Sequence, residues 1–149
     1  MKQHTILTEK KFNRLKHLVK ENKGKEITFT SNDDELNRKV LEKLPIQILL
    51  INQSGRKDYQ KQRNSGLNQV MAKIAKKNNI KIGINFDELL ESKNKEKILS
   101  RIIQNIKLCN KYKIQMKFIS PKNTKAIVSH EIKSLGLVLG MPTWMTKKL

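Results

Sequence analysis

The sequence predicts an α/β fold built from parallel β/α units. Three observations carry that reading: short apolar runs of strand length, amphipathic helical spacing between them, and intervals long enough for right-handed crossovers. A length of 149 residues suits a single β/α domain. Within it, residues 1–25 form a basic, helical N-terminal part, residues 26–141 the core, and residues 142–149 a tail.

Residues 8–22 read as a helix with Phe12, Leu15 and Val19 on one face and Lys10, Arg14 and Lys20 elsewhere. Residues 26–30 make a short strand in which Ile27 and Phe29 alternate with polar neighbours. Asn32 and Glu35 have capping-box spacing and open a helix that runs to Leu44, where Pro45 stops it. Residues 46–51 are almost continuously apolar, as in a strand covered on both faces.

A polar loop occupies residues 52–64, and Ser65 then caps a helix in which Leu67, Val70, Met71 and Ile74 recur at helical spacing. Residues 80–85 are the third strand, and residues 86–91 a single helical turn. The strongest helix covers residues 94–112, with Ile98, Ile102, Ile106 and Cys109 in one stripe. Residues 114–119 form the fourth strand, residues 120–124 a loop, and residues 125–135 a helix ended by Gly136; the tail has no assigned structure. Four strands are too few for a complete eight-stranded barrel. The chain is therefore either a small open sheet or part of a barrel.

Composition narrows the function. Thirty-two Lys and Arg against thirteen Asp and Glu leave a net charge of +19, which favours a polyanionic partner, RNA or DNA first. Residues 45–51 and 135–141 are the longest apolar stretches and are too short to cross a bilayer. The first eleven residues lack the apolar segment of a secretory signal; their basic character suits a transit peptide, but they are not Ser-rich and they include Glu9. A single cysteine, Cys109, excludes an internal disulfide framework and fits a reducing compartment, so the expected location is cytoplasmic.

Sites in parallel α/β folds collect beyond the C-terminal ends of the strands. Those ends carry Ser31, Asn32, Asp33 and Asp34, then Asn52 and the basic loop, then Asn85 and Asp87, then Ser120, Lys122 and Lys125. A metal-dependent nuclease needs converging carboxylates or histidines, and Asp33, Asp34, Asp58 and Asp87 are the only aspartates. Asp33, Asp34 and Asp87 sit where helix N-termini favour negative charge, a structural role. His4 falls in a frayed end, His17 and His130 lie on helices, and none shares ligand spacing. Cys109 lies on an apolar stripe, as a buried thiol does. No catalytic or metal-ligating set is expected.

The basic residues carry the stronger signal. Arg56, Lys57, Lys61 and Arg63 flank Tyr59 in the loop, so phosphates have cations to meet and an unpaired base has a ring to stack on. Lys73, Lys76 and Lys77 follow on the next helix, and Lys107, Lys111, Lys113 and Lys117 add another set. A lysine-rich solvated helix surface explains any one cluster, but it explains a net charge of +19 poorly.

An ordered series of short segments then points to a family. It comprises Glu35-Leu36-Asn37-Arg38-Lys39, residues 46–50, Arg56-Lys57-Asp58, Ser65-Gly66-Leu67-Asn68, residues 82–85, Asn105 through Lys111-Tyr112-Lys113, and Leu139-Gly140-Met141. The series resembles archaeal ribonuclease P protein component 3, the thirty-kilodalton subunit family. No segment is specific alone; their order and placement on strands and helices carry the match.

The resemblance implies a TIM-barrel-like protein, here incomplete, with no active site of its own. It implies pairing with ribonuclease P protein component 2 in a heterotetramer, in support of the ribonuclease P RNA. That RNA, with bound Mg2+, removes 5′ leaders from precursor tRNA, so the protein is an endoribonuclease subunit that binds no cofactor. By matching position, Arg38, Arg56 and Lys57 are RNA-binding or partner-facing, while Asn37, Asp58, Ser65, Gly66, Asn68 and Asn85 are structural.

Three departures accompany the resemblance. The family begins with further strand-helix units, so this chain resembles an N-terminally shortened member whose exposed edge needs self-association or a partner to cover it. Residues 59–64 look inserted. The loop at residues 120–124 departs from the usual small-residue pattern. Two other functions remain open: a stand-alone RNA- or DNA-binding module, and a small metal-dependent nuclease using Asp33, Asp34 and Asp87.

Overall fold

The computed structural model describes residues 2–122 and 129–149. Five parallel strands form one sheet: β1 (His4–Leu7), β2 (Glu26–Ser31), β3 (Ile48–Ile51), β4 (Lys81–Asn85) and β5 (Met116–Ile119). The connections hold α1 (Phe12–Glu21), α2 (Asp34–Lys43), α3 (Gln69–Lys77), α4 (Phe86–Glu91) and α5 (Lys95–Tyr112). Beyond β5 lie α6 (Ser129–Val138) and α7 (Thr143–Thr146).

Spatial strand order equals chain order, so every crossover steps the same way. With crossovers of one hand, the helices gather on a single face, as in an arc of a β/α barrel. Parallel register lines Leu7, Phe29, Leu49, Ile82 and Met116 into one row across all five strands. That row and its neighbour Phe118 pack against Leu15, Leu41, Ala72, Ile102 and Met145 in one apolar core. Among the described residues no reversal of strand order creates the ligand crevice of a doubly wound sheet.

The opposite face is concave. Gly83 leaves a hollow there: a Cβ would stand 3.1 Å from Leu50 and 3.2 Å from both Ile119 and Ile48. Side chains of β3 and β5 therefore meet above β4, and Ile48, Leu50 and Ile119 form a second small cluster with Ile6. Lys117 on β5 reaches Glu26 on β2 at 3.6 Å across the same face. Strands are about 4.8 Å apart, so a flat sheet would separate these two backbones by about 14 Å. Curvature brings the side chains together.

Several expectations need correction. His4 is not in a frayed end; it lies on β1, and its Nε2 is 2.6 Å from Thr28 Oγ1. A strand therefore precedes the first helix, and the sheet has five strands where four were expected. Asp33, not Asn32, caps α2: its carboxylate accepts from the Glu35 and Leu36 amides at 3.1 and 3.2 Å. Asn68, not Ser65, caps α3 by accepting from the Met71 amide at 2.9 Å. Val70 is exposed, and the buried face of α3 is Met71, Ala72 and Ala75.

Gly136 does not end α6; it is buried within it, where a Cβ would come within 2.9 Å of Met141 Sδ. Gly140, at φ +98°, follows the helix and turns the chain. The expected helix start at residues 125–128 and the loop residues 123–124 lie outside the described residues. The tail is ordered: Met145 is fully buried, and Trp144 donates to Asn110 at 3.1 Å.

Candidate nucleic-acid interface

The long loop after β3 is polar, yet it is fixed by two arginines that turn inward. Arg56 grips Asp34 with both terminal nitrogens, at 2.8 and 2.9 Å, and donates from Nε to the Asn52 carbonyl at 2.6 Å. Paired planar groups of this kind are among the stronger hydrogen-bonded contacts. Arg101 comes from α5 and is 4% exposed. It donates to Asp58 at 3.0 Å, to the Gln53 carbonyl at 3.0 Å and to the Arg56 carbonyl at 2.9 Å.

Further bonds complete the brace. Glu88 on α4 accepts from the Gln53 and Ser54 amides at 2.7 and 3.1 Å. Asn85 caps α4 through its side-chain oxygen and donates to Asn52, which in turn donates to Thr30 and Asn32. The Ser65 carbonyl accepts from Gln53 and Asn105 at 2.8 and 3.0 Å. Asp58 also accepts from the Asn64 amide, and this bond, followed by Arg101, lowers its pKa from the ordinary 3.8.

Beside this loop a groove of about 670 Å³ runs between α3 and α5. Tyr59 and Arg63 line it from the loop, Lys107 and Lys111 from α5, and Leu67 and Met71 supply apolar wall. Lys107 and Lys111 are one turn apart, so both project on the same side of α5. Among the described residues, none of Arg63, Lys107 and Lys111 has an ion-pair partner. Asp34 lines the groove too, but Arg56 already neutralises it. α3 has no acid in its first turn, so little negative charge opposes an anion here.

The structure distributes the expected residues unevenly. Tyr59 and Arg63 enter the groove; Lys57 and Lys61 are exposed on the loop outside its lining. Arg56 faces inward rather than toward a ligand, and only 9% of its side chain is exposed. Arg38 pairs with Glu42 on its own helix at 3.2 Å. Lys76 donates to the Lys113 carbonyl at 3.0 Å, while Lys73 and Lys77 are exposed along α3 away from the groove lining. Asn37 is fully buried and donates to the Ser31 carbonyl at 3.3 Å. Gly66 adopts φ +78° beneath Arg56.

Arg101 and Glu88 escaped the sequence reading. A signal existed for Arg101: with Asn105 it falls inside the stripe Ile98, Ile102 and Ile106, where a solvated charge does not belong. The carboxylates weighed for a nuclease go to separate partners. Asp33 caps α2, Asp34 holds Arg56, and Asp87 accepts from Ser120 Oγ and from the Lys122 amide. Among the described residues no group of three His, Cys, Asp or Glu could hold a metal ion. No helix among them is long and apolar enough to cross a membrane.

Fold and groove together define a class: a cation-rich open sheet of parallel β/α units whose braced groove holds, among the described residues, cations with no ion-pair partner. No family model matches the chain. Curated relatives place it further, for the chain is similar to archaeal ribonuclease P protein component 3. It is 32% identical over 110 residues to that protein from Methanococcus maripaludis, covering 71% of this chain and 45% of the relative. The same protein from another strain of that organism is 31% identical over 110 residues. The chain thus spans less than half the length of the curated relatives it matches. Its fold is shared with a chain in a structure of archaeal ribonuclease P with mature tRNA, at a TM-score of 0.80 and 23% identity. That superposition covers 97% of this chain and 62% of the other.

Proposed function

We propose that this chain is a noncatalytic protein subunit of the ribonuclease P ribonucleoprotein, acting in the cytoplasm. It pairs with ribonuclease P protein component 2 and stabilises the catalytic RNA, which removes 5′ leaders from precursor tRNA. Hydrolysis belongs to that RNA and its Mg2+ ions. The observation that supports this most is the similarity to component 3 together with unpaired cations on a fixed scaffold. Fixed cations lower the repulsion between RNA phosphates brought close together, and each phosphate contact releases counterions. The same role accounts for a net charge of +19.

Reconstitution tests the reading. This chain and component 2, added to ribonuclease P RNA at low Mg2+, are expected to raise precursor-tRNA cleavage above that of the RNA alone. The chain alone is expected to leave precursor tRNA intact. RNA binding that neither depends on component 2 nor changes cleavage would make it a stand-alone module. Cleavage by the protein alone, lost in Asp87→Ala, would make it a nuclease.

A further inference from the structure

Resting on the RNA-binding reading above, we propose that the groove between α3 and α5 receives an unpaired nucleotide of RNA. Its base lies against Tyr59 and its phosphate on Lys107 and Lys111.

Tyr59 is 60% exposed, although the loop bearing it is braced on both sides. Asp58, its neighbour, is held by Arg101 and Asn64, and the Tyr59 amide donates to the Gln62 carbonyl at 2.9 Å. An exposed ring on a fixed backbone loses little freedom when a base stacks on it. A paired base in an A-form helix keeps its faces inside the stack, so the ring gains nothing from a duplex. An unpaired base offers a full π-face.

The groove supplies the remaining contacts. Its volume of about 670 Å³ is within the range of small-molecule sites, large enough for a nucleotide. Lys107 and Lys111 stand one helical turn apart, among the described residues no acid is bound to either, and Arg63 lines the groove from the loop. Leu67 and Met71 give the apolar wall that a base edge tolerates. Gln62, Asn64 and Gln69 add donors and acceptors for the base or ribose. An acidic peptide would use the lysines but would bring no base to stack on the exposed ring.

The test measures binding of the full chain to a short labelled oligouridylate and to a blunt RNA duplex. Tyr59→Ala should weaken oligouridylate binding by about 5- to 150-fold, the range for one stacked base, and leave the duplex within about twofold. Tyr59→Phe should restore the single strand. Lys107→Ala with Lys111→Ala should reduce the salt slope for the single strand by about 0.7, the value for one phosphate contact. The pair Lys16→Ala and Lys20→Ala on α1 is the charge control and should leave the preference for the single strand in place. An unchanged oligouridylate affinity in Tyr59→Ala, or equal losses on both RNAs, overturns the site while RNA binding itself stands. A wild-type chain that binds neither RNA overturns the underlying reading as well.

Discussion

Arg101 Nε donates to Asp58 Oδ1 at 3.0 Å, tying the middle of α5 to the loop after β3 across 43 residues of sequence. The same guanidinium bonds two loop carbonyls, so one side chain sets the height of the loop over the groove. Groove geometry and chain stability are therefore coupled through this residue, and the coupling can be tested away from any ligand.

Arg101→Met leaves the Gln53 and Arg56 carbonyls without their charged donor. Hydrogen bonds to charged groups contribute about 1.5–3 kcal/mol each, and loop carbonyls recover part of that from water. The expected loss is on the order of 3 kcal/mol in urea unfolding, with little added by the partly open Asp58. Arg101→Lys should recover only part, because an ammonium lacks the planar fork. A loss below about 0.5 kcal/mol would mean that the brace is dispensable.

Acid should loosen the same loop. Hydrogen bonds from Asn64 and then Arg101 favour the charged form of Asp58, so its folded pKa lies below the ordinary 3.8. Its contribution to stability is therefore present above pH 3.8 and is lost as pH falls from there through the folded value. Denaturant midpoints measured across that window should fall more steeply for the wild type than for Asp58→Asn. Parallel curves would assign acid sensitivity to other groups.

Gly66→Ala should be costly for two separable reasons. Gly66 sits at φ +78°, and a Cβ there would lie 2.5 Å from Arg56 and 2.7 Å from Ile51. Gly55 has a similar φ of +75° but nothing within 4 Å of such a Cβ. Gly55→Ala should thus show the backbone cost alone, about 1–2 kcal/mol. The excess in Gly66→Ala measures the displacement of Arg56 from Asp34 together with that of the buried Ile51. Equal losses in the two variants would remove that second effect.

Cys109 should be inert in the folded chain. It is fully buried on α5, and loss of solvation pushes its thiol up to about 12. Thiolate is the reactive form, so a disulfide reagent should label it only at the rate of unfolding. Rapid labelling in the native state would contradict its burial.

Much of the scaffold was legible because parallel strands and amphipathic helices write their periods directly into sequence. The stripe of Ile98, Ile102, Ile106 and Cys109 is buried as its spacing requires, and residues 48–51 are covered on both faces. β1 was not legible: its run His4–Leu7 begins with two polar residues, none of its side chains is fully buried, and it is marked as a strand by its pairing with β2. Caps slipped for a similar reason. Several Asn, Asp and Ser residues stand near each helix start, and local geometry selects Asp33 and Asn68 among them.

By itself the sequence determined the alternation of strands and helices, the excess of positive charge and the order of family-like segments, all of which are local or additive properties. Only the tertiary structure decided which cations remain free. Arg56 and Arg101 turned inward because carboxylates and carbonyls distant in sequence came within reach, while among the described residues Lys107, Lys111 and Arg63 have no ion-pair partner. A charge is spent or available according to what folding places beside it, and that distance is not written in the order of residues.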